Sequence, residues 1–255
     1  MRFAYLIILL MLAGCGSIAS HPAPGTELPD ALRTWGTTTV IEQKGSIDVV
    51  IIADRHSIGA GIGYVSEGHR AQQMEQARAI EWLVNHGYTI LGSEFELGPI
   101  PTDGAAAEHR TSIESAIEEG DDLNRWSHFQ PVRYAVTLAP RLAVWGVEDP
   151  VLYAADVKDL DAILDIRDFR KHREGQSTPT DSELDRKEAA LKARIRSHVD
   201  QRGRAAARNL LELANARGAT RVILMLGAAH CGAAAGECAA SGAAVTLFTP
   251  KSLRK

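Results

Sequence analysis

Acidic and imidazole side chains recur in this chain just after short apolar runs. Those are the groups that bind divalent metals and move protons near neutral pH. Residues 47–53 run into Asp54, Arg55 and His56, and 89–92 into Glu94 and Glu96. Residues 142–147 run into Glu148 and Asp149, and 221–226 into Gly227-Ala228-Ala229-His230. Apolar, β-branched runs of this length, bounded by turn residues and separated by helix-like segments, read as buried parallel strands. In an open α/β sheet the carboxyl ends of parallel strands share one rim, where ligands usually bind. The pattern therefore predicts an α/β fold with a mainly parallel central sheet flanked by helices, and one strand-end site drawn from several runs.

Within that rim the candidates for metal ligation are His56, Glu94 and His230, with Asp54 as a further carboxylate for proton transfer. Alternation along the strand puts Glu94 and Glu96 on one face, with Glu96 farther out, so Glu94 is preferred. His69, Tyr64, Glu148 and Asp149 are further rim positions. The bland readings stand beside these: a lone strand-end histidine is often a hydrogen-bonded structural residue, and His69 also reads as a solvent-facing residue opening a helix. Pro150 after Asp149 suggests a turn in which that carboxylate bonds local amides. His86, His109, His128, His172 and His198 have no ligand spacing, and no H-E-x-x-H occurs. Gly59, Gly61 and Gly63 do not fit G-x-G-x-x-G, which argues against dinucleotide binding.

The elements that must position these residues alternate strand and helix. A helical pattern from 68 to 85, stopped by Gly87, follows the first run. A loop at 99–104 and a short polar helix at 105–119 follow the second, and 121–140 carries Trp126, His128, Phe129 and Tyr134, read as packing. Residues from about 156 to 217 read as a charged helical excursion, broken at 174–179 and restarted by a capping box at Thr180 and Glu183. Its mixed charges read as a solvated face, or as a cover for the rim. The chain closes with helix, strand, small-residue helix and a final strand at 244–248.

The 255 residues, 45% apolar and 24% charged, suit one sizeable core. Met1-Arg2 followed by apolar residues 3–12 has the form of a secretory signal, too short to span a bilayer as a mature helix. Leu12-Ala13-Gly14-Cys15 resembles the lipobox of bacterial lipoproteins, which implies cleavage after residue 14 and lipidation of Cys15. The expected organisation is a signal peptide at 1–14, a lipidated cysteine and flexible tether at 15–35, and a single α/β domain at 36–255. Residues 21–29, with three prolines and a glycine, are the core of that tether. Two acyl chains would hold the protein in the membrane without a spanning helix, and Gly16 resembles the pattern that sorts to the outer membrane, facing the periplasm. The formal net charge of −4 comes from interspersed basic and acidic residues with no basic stripe, which argues against a nucleic-acid partner. Cys231 and Cys238 could bridge only if Cys231 lay in a loop, because seven residues of helix separate them by about 10 Å.

The C-terminal pattern is more specific. Arg204-Ala-Ala-Ala-Arg208-Asn209, then Arg221-Val-Ile-Leu-Met-Leu-Gly227-Ala-Ala-His230, then Gly242-Ala-Ala-Val-Thr-Leu-Phe-Thr-Pro250, resembles the ending of the erythromycin-esterase/ChaN-like/TraB–Tiki superfamily. Ala53-Asp54-Arg55-His56 sits where that group has G-E-x-H or G-x-x-H, and Ser93-Glu94-Phe95 where it has a strand-end glutamate. The resemblance spans residues 48–250 and implies roles for His56, Glu94, Arg208 and His230, with Asp54 replacing a glutamate. It implies a divalent-metal-dependent hydrolase of peptide or ester bonds, using Mn, Co or Zn, with Arg208 stabilising developing negative charge. The alternative it implies is a non-catalytic haem-binding lipoprotein in iron uptake, with Tyr64 and Tyr153 near the rim as possible haem ligands. The expected partners are the membrane, through Cys15, and a small-molecule, peptide or haem ligand; these residues say nothing of oligomeric state. Metabolic labelling with radioactive palmitate is expected to mark the wild-type protein and to leave Cys15→Ala unlabelled.

Overall fold

The computed structural model describes residues 28–54, 67–100, 131–171 and 181–254. Among these residues seven strands form one sheet. They are β1 (Gly36–Glu42), β2 (Asp48–Asp54), β3 (Ile90–Glu96), β4 (Gly98–Pro99), β5 (Ala143–Glu148), β6 (Arg221–Gly227) and β7 (Ala244–Pro250). Their spatial order is β1-β7-β2-β6-β3-β5-β4. The five inner strands run parallel, and β1 and β4 close the two edges antiparallel. The fold is α/β, as the alternation of apolar runs and helical segments requires. The edge strand β1, with Thr37, Thr38 and Thr39, is an addition that the strand-end pattern did not foresee.

Alternation along β2 divides its side chains between two cores. Val50 and Ile52 pack with Ala79, Ile80, Leu83 and Ala135. This is the face covered by α1 (Leu28–Leu32), α2 (Glu67–Asn85) and α3 (Pro131–Thr137). Val49, Ile51 and Ala53 pack with Ala206, Leu210 and Ala234. That face is covered by α5 (Asp181–Arg217) and α6 (Ala228–Ala240). The remaining helix, α4 (Pro150–Lys171), lies along α5, joined to it by Ile163, Ile166 and Leu191 and by the Arg194–Asp159 ion pair at 2.7 Å.

Three sequence boundaries shift. The packed part of the chain begins before residue 36: Leu32 is fully buried in the α2-side core and Trp35 packs against it, so 28–35 is not tether. Pro150 does not make an isolated turn but opens α4. Asp149 Oδ1 accepts the Val151 and Leu152 amides at 2.9 and 3.0 Å, so Asp149 is a helix cap followed by proline at the first helical position. The charged excursion ends before 217, because Ala206, Ala207, Leu210, Leu211 and Ala214 are buried in the core with the sheet residues. The rim positions His56 and Tyr64, the lipobox with Cys15, the glycines at 59–63, the helix at 105–119, the aromatics Trp126, His128 and Phe129, and Thr180 lie outside the described residues. Replacing buried Leu32 by Ala is expected to cost about 2–5 kcal/mol, read as a lower urea midpoint with an unchanged slope.

Candidate functional site

The order of the strands brings the polar strand ends together. β6 lies between β2 and β3, with Asp54 opposite Gly227 and Ser93 opposite Met225, and β5 flanks β3 with Glu96 opposite Glu148. After β3 the chain crosses towards β5, whereas after β6 it crosses towards β7 through α6. Neighbouring strands whose connections diverge leave a crevice at their carboxyl ends. Glu94 and His230 occupy that position.

Glu94 follows Gly92 at a spacing of two, so both face α5 and α6. A Cβ on Gly92 would lie 3.0 Å from Val147 and 3.1 Å from Leu210, so glycine lets α5 settle close beneath the site. Glu94 Oε1 accepts the amide of Gly227, the N-cap of α6, at 3.0 Å, and lies 3.5 Å from His230 Nε2 in the first turn of that helix. A carboxylate here benefits from the positive end of the helix. The other ring nitrogen, Nδ1, is 2.7 Å from the carbonyl oxygen of Val199 on α5. A carbonyl oxygen only accepts, so Nδ1 carries the proton, and in the neutral ring the lone pair of Nε2 faces the carboxylate. The two side chains are only 8% and 11% exposed, which places this pair of acceptors in a largely dry setting.

Two atoms that both present lone pairs to one space suit a shared cation. Nitrogen and oxygen ligands of a tetrahedral ion, at about 2.0–2.1 Å from it, stand roughly 3.3–3.4 Å apart. The Glu94–His230 spacing matches that, and a histidine whose second nitrogen is bound to a backbone carbonyl is the usual arrangement of a metal-ligating imidazole. The pair supplies two donors. Among the described residues no group of three or more His, Cys, Asp or Glu is arranged to hold a metal ion.

The surrounding charges come from both faces of the sheet. Asp54 shares the face of Val50 and Ile52 and turns towards α2. There its Oδ1 accepts from Gln72 Nε2 at 2.7 Å and Gln76 Nε2 at 2.9 Å, and Gln76 also bonds the Ala53 carbonyl. It thus reaches the same rim as Glu94 from the opposite face. On the α5 side Arg202 forms a fork onto Glu148, Nε to Oε1 at 3.0 Å and Nη2 to Oε2 at 2.7 Å, and its Nη1 bonds Asp156 Oδ2. Burial alone would lower the pKa of Arg202, but the bonds and charges of Glu148 and Asp156 and the charge of Glu94 outweigh it and hold the group above its ordinary value. Its guanidinium also lies 5.3 Å from the ring of half-exposed Tyr153.

Arg208 is not brought to this cluster. It is half exposed and pairs with Glu237 at 3.2 Å, beside Ile47, Asn215 and Ala243 at the amino ends of the strands. Its neighbour Asn209 faces the sheet and bonds the Val147 carbonyl at 3.0 Å. Helical spacing is the signal that separates the two arginines. Arg202 is four residues from buried Ala206 and seven from Asn209, on the sheet-facing side, and Arg208 is not. Asp149 is committed to capping α4, Glu96 is exposed, and His69 falls in the first turn of α2. Gln72 and Gln76, spaced four apart on α2, were also unforeseen.

Cys231 lies beside the site and is buried. Burial, then the charges of Glu94 and Asp54, push its thiol up to about 12. Its Sγ lies 3.6–3.7 Å from the carbonyls of Gly227 and Leu226. Cys238 is likewise buried and pushed up to about 12, and the two free cysteines share one continuous helix. A buried thiol whose pKa is raised this far carries little thiolate near neutral pH and reacts slowly. Iodoacetamide at pH 8 is therefore expected to spare both in the native protein and to modify both in urea, as read by mass spectrometry. Compared with protein-family models, curated proteins and solved structures, the chain matches none.

Proposed function

We propose that this chain is an envelope-anchored protein of the erythromycin-esterase/ChaN-like/TraB–Tiki type that uses a divalent metal to hydrolyse an ester or peptide bond. The observation that carries the reading is the arrangement of His230: Nδ1 is committed to Val199, and Nε2 stands 3.5 Å from a carboxylate oxygen of the partly buried Glu94. His230 and Glu94 would hold the ion, and His56, two residues past the end of β2, is the third ligand that the sequence pattern nominates. Mn, Co and Zn all accept such mixed nitrogen and oxygen donors. Bound there, such an ion would polarise a carbonyl and lower the pKa of a coordinated water.

The chain's own groups divide the remaining work. The Gly227 amide holds Glu94 Oε1, and Asp54, steadied by two glutamine amides, is the second carboxylate at the rim and the candidate proton acceptor. Arg202 takes the electrostatic role that the sequence pattern gave to Arg208. Its fixed positive charge offsets negative charge developing above β3 and β5. A rim carrying Asp54, Glu94, Glu148 and Asp156 favours a cation over the propionate groups of haem, so the hydrolytic reading is preferred to the haem-binding one.

Metal-depleted protein offered Mn, Co or Zn is expected to take up one ion per chain. His230→Ala and Glu94→Gln should abolish that uptake, along with hydrolysis of ester or peptide substrates. The glutamine variant keeps an oxygen for the Gly227 amide and removes only the charge. Absence of uptake by the wild type, together with full activity in His230→Ala, would overturn the reading. A haemin-induced Soret shift that is lost in Tyr153→Phe would replace it with the haem-binding one.

A further inference from the structure

Val199 and Gly203 stand one turn apart on α5, and both meet His230. In an α-helix the carbonyl of residue 199 receives the amide of residue 203. Here the same oxygen also lies 2.7 Å from His230 Nδ1. A Cβ built on Gly203 would come within 2.5 Å of the His230 carbonyl oxygen and 3.3 Å of its Cβ. The nearest of these is backbone, which cannot swing aside as a side chain could. A glycine inside a helix is less favourable than alanine, yet the 37-residue α5 carries one at the point of contact with the site histidine. Gly232 and Gly236 on α6 differ, with nothing within 4 Å of a Cβ added at either.

We infer that the Val199–Gly203 turn is a positioning element for the site. Bare Gly203 lets the first turn of α6 close onto α5, so that the Val199 carbonyl holds His230 in its Nδ1–H form and reserves Nε2 for an ion shared with Glu94. This rests on the metal-dependent reading above. Gly203 and Val199 contact neither ion nor substrate; they act through His230. The long charged helix, which looks like a solvated face, supplies the constraint at one backbone atom and one missing side chain.

The test is Zn affinity of the metal-depleted full chain, measured by competition with a chromophoric chelator. Loss of an outer contact to a ligating histidine typically weakens binding about 10–100-fold. Gly203→Ala is expected to fall in that range, and Gly232→Ala and Gly236→Ala to bind as the wild type does. Wild-type affinity in Gly203→Ala would overturn the inference. A second measurement needs no change at Gly203 and decides the case if that variant fails to fold. Histidine-selective 15N spectra of the metal-free protein at about pH 9, where imidazoles are neutral, are expected to show the Nδ1–H pattern for His230, assigned by its absence in His230→Gln. An Nε2–H pattern would overturn the inference. If the Nδ1–H pattern is present but no ion is taken up, the positioning role is upheld and the metal reading fails.

Discussion

A carboxylate taken out of water costs several kcal/mol unless donors or positive charge replace the lost hydration. Glu94, at the end of a central strand and 11% exposed, carries that demand for the whole rim. Its requirements account for much of the local architecture. The head of α6 must present the Gly227 amide, which donates to Glu94 Oε1 at 3.0 Å. The Arg202 charge must lie nearby on α5. The amide of Gly227, the N-cap of α6, thus finds its partner in the carboxylate at the end of a neighbouring strand.

Two close approaches make this geometry possible. Gly92 lets α5 sink towards the sheet directly before Glu94, and Gly203 lets α6 sink towards α5 directly at His230. Buried Ala206 and Ala207 lie in the same core as Ala234 and Ala235 of α6. Small residues along a helix bring backbones near enough for a carbonyl such as that of Val199 to serve as a partner for a side chain of another element. The polar groups of the site are therefore oriented mainly by backbone atoms, which have few alternative positions.

The α4–α5 pair has two characters along its length. Far from the sheet it is a charged antiparallel pair, with Arg170 joining Asp185 and Glu188, and Arg194 holding Asp159. Nearer the sheet the pairing becomes part of the site, where Arg202 bridges Glu148 at the end of β5 and Asp156 on α4. Those pairs keep their arginines in contact with water, Arg170 at 34% and Arg194 at 57% exposed, and are worth little individually. The buried fork is different, since removing its arginine would leave Glu148 and Asp156 desolvated and uncompensated.

The sequence by itself determined the α/β fold and the set of strand ends that carry acid and imidazole groups. Periodicity and turn residues are local properties, and Glu94 and His230 each follow an apolar run too regular to mistake. The sequence pattern pointed to Arg208 on α5, and the spacing that sets Arg202 on the sheet-facing side becomes legible only once the buried residues of that helix are known. Only the tertiary structure decided that β6 is inserted between β2 and β3, that Asp54 turns to α2 while Glu94 turns to α5, and that Val199 supplies a backbone oxygen to His230. The physical reason is that strand order and helix-to-helix distance are set by long-range packing. A carbonyl contributes no sequence signal, and a glycine reads as a helix weakness until its neighbour is seen.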